Sequence, residues 1–223
     1  MPSRLRPTAP FAADAILVGD PGRALLLAQE LLEQPKMSNH ARGLWGYTGR
    51  TPSGAELTIQ ATGMGGPSAA LVLNDLAKLG VRRVIRVGTC SAVRGRAEPG
   101  EMLLPEGVLA AAGSATAVGL TVGATVAPNA DLRAKLEEAL AGQARSATVA
   151  SLDTHAGELD ELPDAVAAAD MQTAALLARA SQLNIAAAAI LIVDLVGGER
   201  LADDRLEAAT KWAGNAAAKG LSR

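Results

Sequence analysis

Two arginines stand beside glycine turns in this chain, Arg23 in VGDPGRA and Arg86 in RVGTCSA, with a third glycine-rich turn, TGMGGPS, between them. Glycine at such points lets the backbone approach a ligand closely, and N–H groups at turns and helix starts favour anions. A forked guanidinium matches phosphate geometry, so Arg23 and Arg86, near the ends of adjacent predicted strands, point to a tetrahedral oxyanion. Taken singly, each turn is only a turn, and an arginine in a short strand caps a sheet edge or pairs with a carboxylate equally well.

The elements that must hold these residues follow from hydrophobic periodicity. Residues 15–18 read as a strand, with Gly19-Asp20-Pro21-Gly22 as the turn into a helix over 23–32. Residues 45–48 and 56–62 read as paired strands. A helix opens in Gly63-Met64-Gly65-Gly66-Pro67-Ser68 and runs to Leu79, with Gly80 as its stop. Strands are expected at 84–87 and 101–104, while 110–127 is ambiguous between strand and loop. A helix over 130–140, a strand over 147–151, a surface loop over 152–163, a helix over 170–183, a strand over 185–193 and a terminal helix over 201–219 complete the chain. Short apolar runs alternating with amphipathic segments predict one α/β domain over 1–223, a central mixed β-sheet covered by helices.

Composition excludes several classes. The chain has 223 residues, 49% hydrophobic and 20% charged, enough for one full core. A net charge of −2 and only two Trp, one Tyr and one Phe leave no basic, aromatic-laced surface, so nucleic acid is not an expected partner. The longest apolar run, 185–193, is too short to span a bilayer. Residues 1–6 lead into Pro-Thr-Ala-Pro rather than an apolar run and do not read as a signal peptide. Cys90, the single cysteine, cannot form an internal disulfide, and the expected location is cytoplasmic.

Four stretches in order, ILVGDPGRA, NHARGLWGYTG, TGMGGPSAA and IRVGTCSA, resemble the purine nucleoside phosphorylase and uridine phosphorylase family of the hexameric, trimer-of-dimers type. The resemblance is densest over the first hundred residues. It implies phosphate ligands at Gly19, Arg23, Arg86 and Thr89, and an Arg42 lent to a neighbouring subunit. It implies that Met64 packs on the ribose and that Cys90 and Ser91 line the base pocket. The implied reaction is phosphate-dependent cleavage of a nucleoside to free base and ribose 1-phosphate, as in nucleoside salvage. Inorganic phosphate is then a co-substrate, with no metal or organic cofactor, in a homo-oligomer whose site unit is a dimer and whose full assembly is a homohexamer.

The second half departs from the family pattern. The family's Glu-Met-Glu ribose motif meets Asp170-Met171-Gln172, so Met171 agrees and Gln172 offers an amide where the family has a carboxylate. Purine-specific members end a strand in Ser-Asp, whose acid serves the leaving base; uridine-specific members carry Asn-Arg. Aligned without a gap, Asp194 and Leu195 fall there, and a one-residue slip or bulge makes Asp194 the candidate general acid; its other reading is a turn or helix cap. The aromatic that stacks on the nucleoside meets SLDTHA, placing His155 there, or leaving it as an exposed loop histidine. No N-terminal His is present, Ser3 and Arg4 being nearest in spacing, and His40 suits an interface or surface. The uridine-type Gln and Arg pair has no equivalent between 150 and 170. Purine is the favoured base, with uridine phosphorylase, or a family member that keeps the phosphate site as a binding protein, as alternatives. A hydrolytic nucleosidase has no need of the phosphate arginines.

Overall fold

The computed structural model describes residues 2–154 and 159–222. The first unit is β1 (Asp14–Val18), α1 (Pro21–Leu31), β2 (Glu33–Asn39), β3 (Gly46–Arg50), β4 (Glu56–Ala61) and α2 (Gly65–Lys78). Next come β5 (Arg83–Ala92), β6 (Met102–Ala110), the short β7 (Thr125–Val126), α3 (Ala130–Leu140) and β8 (Arg145–Ser151). The chain closes with β9 (Val166–Asp170), α4 (Thr173–Gln182), β10 (Ala186–Val196), β11 (Glu199–Arg200) and α5 (Asp203–Ser222). Among the described residues no helix is long and apolar enough to cross a membrane.

The strands form one mixed sheet. β1 lies between β4 and β5, parallel to both. β5 also pairs parallel with β10 and antiparallel with β9. From β10 the pairing continues antiparallel to β6, then parallel to β8 and on to β9. The path β5–β10–β6–β8–β9 therefore returns to its start, a closed ring of strands from which β1, β4, β3 and β2 extend as an open wing.

Side chains alternate across each strand, and the two faces carry separate cores. Ile16 and Val18 face one layer, with Leu27 of α1, Leu136 of α3 and Ala213 of α5. Ala15 and Leu17 face the other, with Leu73 and Leu76 of α2 and Leu176 of α4. Strands covered on both faces read as near-continuous apolar runs, which is why 15–18 and 185–193 are visible in the sequence.

Two strands differ from expectation. β2, EQPKMSN, is mostly exposed and sits at the open edge, where charge and a proline are tolerated because one side of the ladder has no partner. Residues 166–170 form β9 and the helix starts only at Thr173, whereas the periodicity predicts a helix from 170. The alanines of β9 are all buried between neighbours, so tertiary pairing overrides their helical propensity. The ambiguous stretch 110–127 resolves into the end of β6, a 3₁₀ turn at Gly113–Val118, and β7.

Candidate functional site

The site gathers at the carboxyl ends of parallel strands, where open α/β sheets commonly hold ligands. β1 ends at Val18 and hands over to Gly19 and to Asp20, whose side chain accepts from Gly22 N and caps α1, with Pro21 at its start. β4 ends beside the Gly63-Met64-Gly65 turn, where both glycines have positive φ, +73° and +82°. A side chain at either position would be strained. β9 runs antiparallel to β5, so the chain leaving Asp170 passes back beside Thr89 and Arg86.

Arg86 is 4% exposed and lies along β5 over Gly88. A Cβ at Gly88 would come within 2.7 Å of the Arg86 guanidinium carbon, so glycine is what lets the arginine lie flat. Its Nε donates to Thr173 Oγ1 at 3.1 Å, Nη1 to Gln172 Oε1 at 2.6 Å and Nη2 to Asp170 Oδ2 at 3.0 Å. Three of the five N–H groups that an arginine carries are thereby spent, and one remains on each terminal nitrogen. Asp170, 1% exposed, is itself saturated: it also accepts from Ser151 Oγ, Thr173 N and Thr173 Oγ1. A buried ion pair needs such surrounding donors to offset its desolvation.

Gln172 ties this cluster to the glycine turn. Its Nε2 donates to the carbonyls of Gly63 and Gly65, while Oε1 accepts from Arg86 and lies 3.3 Å from Thr62 Oγ1. It is 3% exposed.

Arg23 is the opposite case. Among the described residues its guanidinium has no hydrogen-bond or ion-pair partner. Burial pulls it below the ordinary arginine pKa, and the charges of Arg86 and Arg200 act the same way, against Asp20 and Asp194. A desolvated guanidinium beside a second cation favours an anion bound to both. Arg23, Arg86, Gly19 and Thr89 line one cavity of about 460 Å³, together with Met64, Met171, Gln172, Asp20, Pro21, Gly63 and Gly65. The Thr89 hydroxyl also has no partner among the described residues.

The remaining expected residues lie elsewhere. Cys90 and Ser91, placed by resemblance at the base pocket, are 4% and 5% exposed and are not part of this cavity wall. Cys90 faces the core behind Arg86, its thiol directed at Ile192 O, and burial pushes its pKa far up. Arg42 is exposed, outside the cavity, in the left-handed region at φ 62°. Its turn is pinned by Asn39 Nδ2, which donates to the carbonyls of Ala41 and Leu44, and by Gln60 Nε2, which donates to Leu44 O. Asp194 sits at a β-bulge: Val193 pairs with Cys90 and Leu195 with Ser91, leaving Asp194 as the extra residue. Its Oδ2 accepts from Arg200 at 3.1 Å, and its Oδ1 is buried with no partner among the described residues. Asp194 does not line the cavity, yet its charge reaches Arg23. His155 lies outside the described residues.

Sequence reasoning missed Asp170, Thr173 and Thr62 as the frame of Arg86 and Gln172. One signal was available: a buried arginine demands a carboxylate, and Asp170 immediately precedes the Met171-Gln172 pair.

A family model described as "Phosphorylase superfamily" matches residues 14–222. Among curated proteins, the purine nucleoside phosphorylase DeoD-type of Oceanobacillus iheyensis is 43% identical over 97 residues, covering 43% of this chain and 41% of that protein. The protein of the same name from Clostridium novyi is 37% identical over 105 residues, covering 47% and 45%. The matched stretch thus spans less than half the length of these relatives. Among solved structures, uridine phosphorylase from Vibrio fischeri ES114 superposes with a TM-score of 0.85 at 22% identity, covering 95% of this chain and 92% of that one. That likeness shows the fold, a mixed sheet with helices on both faces.

Proposed function

Because this chain belongs to the phosphorylase superfamily, we propose that it is a nucleoside phosphorylase, cleaving a nucleoside with inorganic phosphate to a free base and ribose 1-phosphate. The observation that carries the reading is Arg23, desolvated and without a partner among the described residues, beside the two unspent N–H groups of Arg86 on one cavity. Phosphate placed between them would meet Gly19 and the Thr89 hydroxyl as further donors.

The chemistry asks little covalent work of the protein. A phosphate oxygen forms a bond to the anomeric carbon as the glycosidic C–N bond breaks. The electron pair leaves with the base, which takes up a proton. Arg23 and Arg86 hold the nucleophile and set its direction. Met64, 81% exposed in the free chain, and Met171 supply the apolar wall on which the sugar rests. Asp194 is our candidate for the proton, since the bulge frees it from the ladder and leaves one oxygen without a partner among the described residues. Purine is the favoured base, in line with the names of the curated relatives, and uridine is the alternative.

Arg42 supports an oligomer. It is exposed and outside the cavity of its own chain, on a turn pinned by Asn39 and Gln60, which suits an arginine lent to a neighbouring site. We take a dimer as the unit that completes one site, within a homohexamer, and require no metal or organic cofactor.

The test is base release from a panel of purine and pyrimidine nucleosides, with and without phosphate. Release of base together with ribose 1-phosphate, only when phosphate is present, is the expected result. Phosphate-independent release would make the chain a hydrolase. Absence of release, with phosphate bound at Arg23 and Arg86, would leave a binding protein.

A further inference from the structure

We propose that Asn39 is the positioning residue for Arg42, seating the lent arginine and being held in turn by the N-terminal segment of its own chain. The proposal rests on the phosphorylase reading above and on the oligomer it includes.

Arg42 stands at φ 62°, and Gly43 follows it at φ 69°. Glycine adopts that region freely, whereas arginine does so at a cost, and such a residue persists only where its surroundings over-determine the turn. The turn between β2 and β3 supplies them from inside. Asn39 is the last residue of β2, paired with Gly46 of β3, and is fully buried. A carboxamide carries two N–H donors and one acceptor oxygen. Here Nδ2 donates to the carbonyls of Ala41 and Leu44, on either side of Arg42, and Oδ1 accepts from Arg6 N at 2.7 Å. Gln60, also fully buried, donates from Nε2 to the same Leu44 carbonyl at 2.9 Å. The exposed Arg42 side chain is thus carried on a backbone whose shape is set by two buried amides.

The Arg6 bond ties this turn to a distant strap. The N–H groups of Ser3, Arg4 and Leu5 all donate to the buried Asp75 carboxylate on α2. Leu5 belongs to the same core cluster as Leu73 and Leu76, and Thr8 N donates to Ser38 O at 2.9 Å. The strap is therefore fixed at both ends, with Arg6 N resting on Asn39 between them. Without the Asn39 amide, Arg6 N and the Ala41 carbonyl lose their side-chain partner. Arg42 is then free to relax to an ordinary φ, which redirects its guanidinium.

Steady-state phosphorolysis reads the consequence. In Asn39→Ala, shown to be folded by circular dichroism, KM for phosphate is expected to rise roughly tenfold, the scale of one charge-assisted hydrogen bond, with KM for the nucleoside unchanged. Asn39→Asp keeps the acceptor for Arg6 N but loses both donors; it should show the same rise, and it serves alone if the alanine variant does not fold. Dissociation and reassociation with other variants gives a readout that a merely structural role would not move. Mixed with Arg23→Ala, the Asn39 variant should exceed the summed activity of its parents at subsaturating phosphate, because one site then combines its Arg23 with a well-seated Arg42 from the other subunit. Mixed with Arg42→Ala it should show no gain, since the available Arg42 is the ill-seated one. An unchanged KM for phosphate, or a gain with Arg42→Ala in place of Arg23→Ala, overturns the proposal and leaves the phosphorylase reading standing. Absence of phosphate-dependent cleavage by the unsubstituted chain sinks that reading, and this proposal with it.

Discussion

Arg86 and Asp170 form a buried ion pair, Nη2 to Oδ2 at 3.0 Å, with side chains 5% and 1% exposed. The pair joins β5 to the end of β9, and it orients an arginine that lines the cavity with two N–H groups unspent. Its role is to hold a cation in place rather than to neutralise it completely.

Removing the carboxylate leaves the cation uncompensated. Asp170→Ala is expected to cost about 3–5 kcal/mol of folding stability. Urea denaturation measures this; a loss within the scatter of ordinary surface substitutions would show that the pair does not frame the site.

Arg23→Met is expected to act in the reverse sense on stability. It removes a desolvated cation that has no partner among the described residues, so the fold should gain about 1 kcal/mol in phosphate-free buffer. The same variant should lose the rise in melting temperature that phosphate gives the unsubstituted protein. Thermal scans with and without phosphate separate the two effects, and a variant that still responds to phosphate would place the anion elsewhere.

Gly88→Ala puts a methyl group within 2.7 Å of the Arg86 guanidinium. The guanidinium must lift off the strand, and phosphate affinity should fall roughly tenfold, the worth of one charge-assisted bond. Calorimetry with phosphate reads this directly. Retained affinity would mean that Arg86 is not a ligand.

Arg23→Ala and Arg42→Ala should each abolish phosphorolysis alone. Mixed after dissociation and reassociation, they should recover activity, since one site of a mixed dimer then has Arg23 from one subunit and Arg42 from the other. Activity that stays absent on mixing, with mixed oligomers demonstrated, would confine the site to a single subunit.

Cys90 should be inert. Burial raises its pKa so far that thiolate is scarce at neutral pH, and its thiol faces Ile192 O inside the core. A thiol reagent at pH 8 should label the native protein at less than about a tenth of the rate seen in denaturant. Rapid labelling of the folded chain would place Cys90 at the cavity after all.

The parts of the fold readable from sequence are those in which local chemistry and burial agree. Ala15 to Val18 is apolar on both faces and becomes β1, and the Gly-Asp-Pro-Gly turn both caps α1 and opens the anion site. β9 was illegible because its alanines favour helix, and only pairing with β5 and β8 makes them a strand. The same holds at the site. Arg23, Arg86 and Gly19 are signalled by turns and guanidinium chemistry and Thr89 by the family resemblance, and the four share a cavity. Cys90 follows Thr89 directly, yet strand alternation sends it into the core, a distinction that motif matching does not make. The motif position of Gln172 does not disclose its bonds, because those to Gly63 and Gly65 reach a turn over a hundred residues earlier and the one to Arg86 reaches β5.

The bulge means that chain length, as much as residue identity, decides whether an acidic residue stands outside the ladder here, with its charge felt at Arg23. Deleting Asp194 would restore an uninterrupted ladder with β5, Val193 and Leu195 keeping their partners Cys90 and Ser91, and would remove only the extra position. Relatives differing by one residue in this strand can therefore carry their acid under different column numbers, and a superposition of backbones, rather than of letters, is the way to compare them.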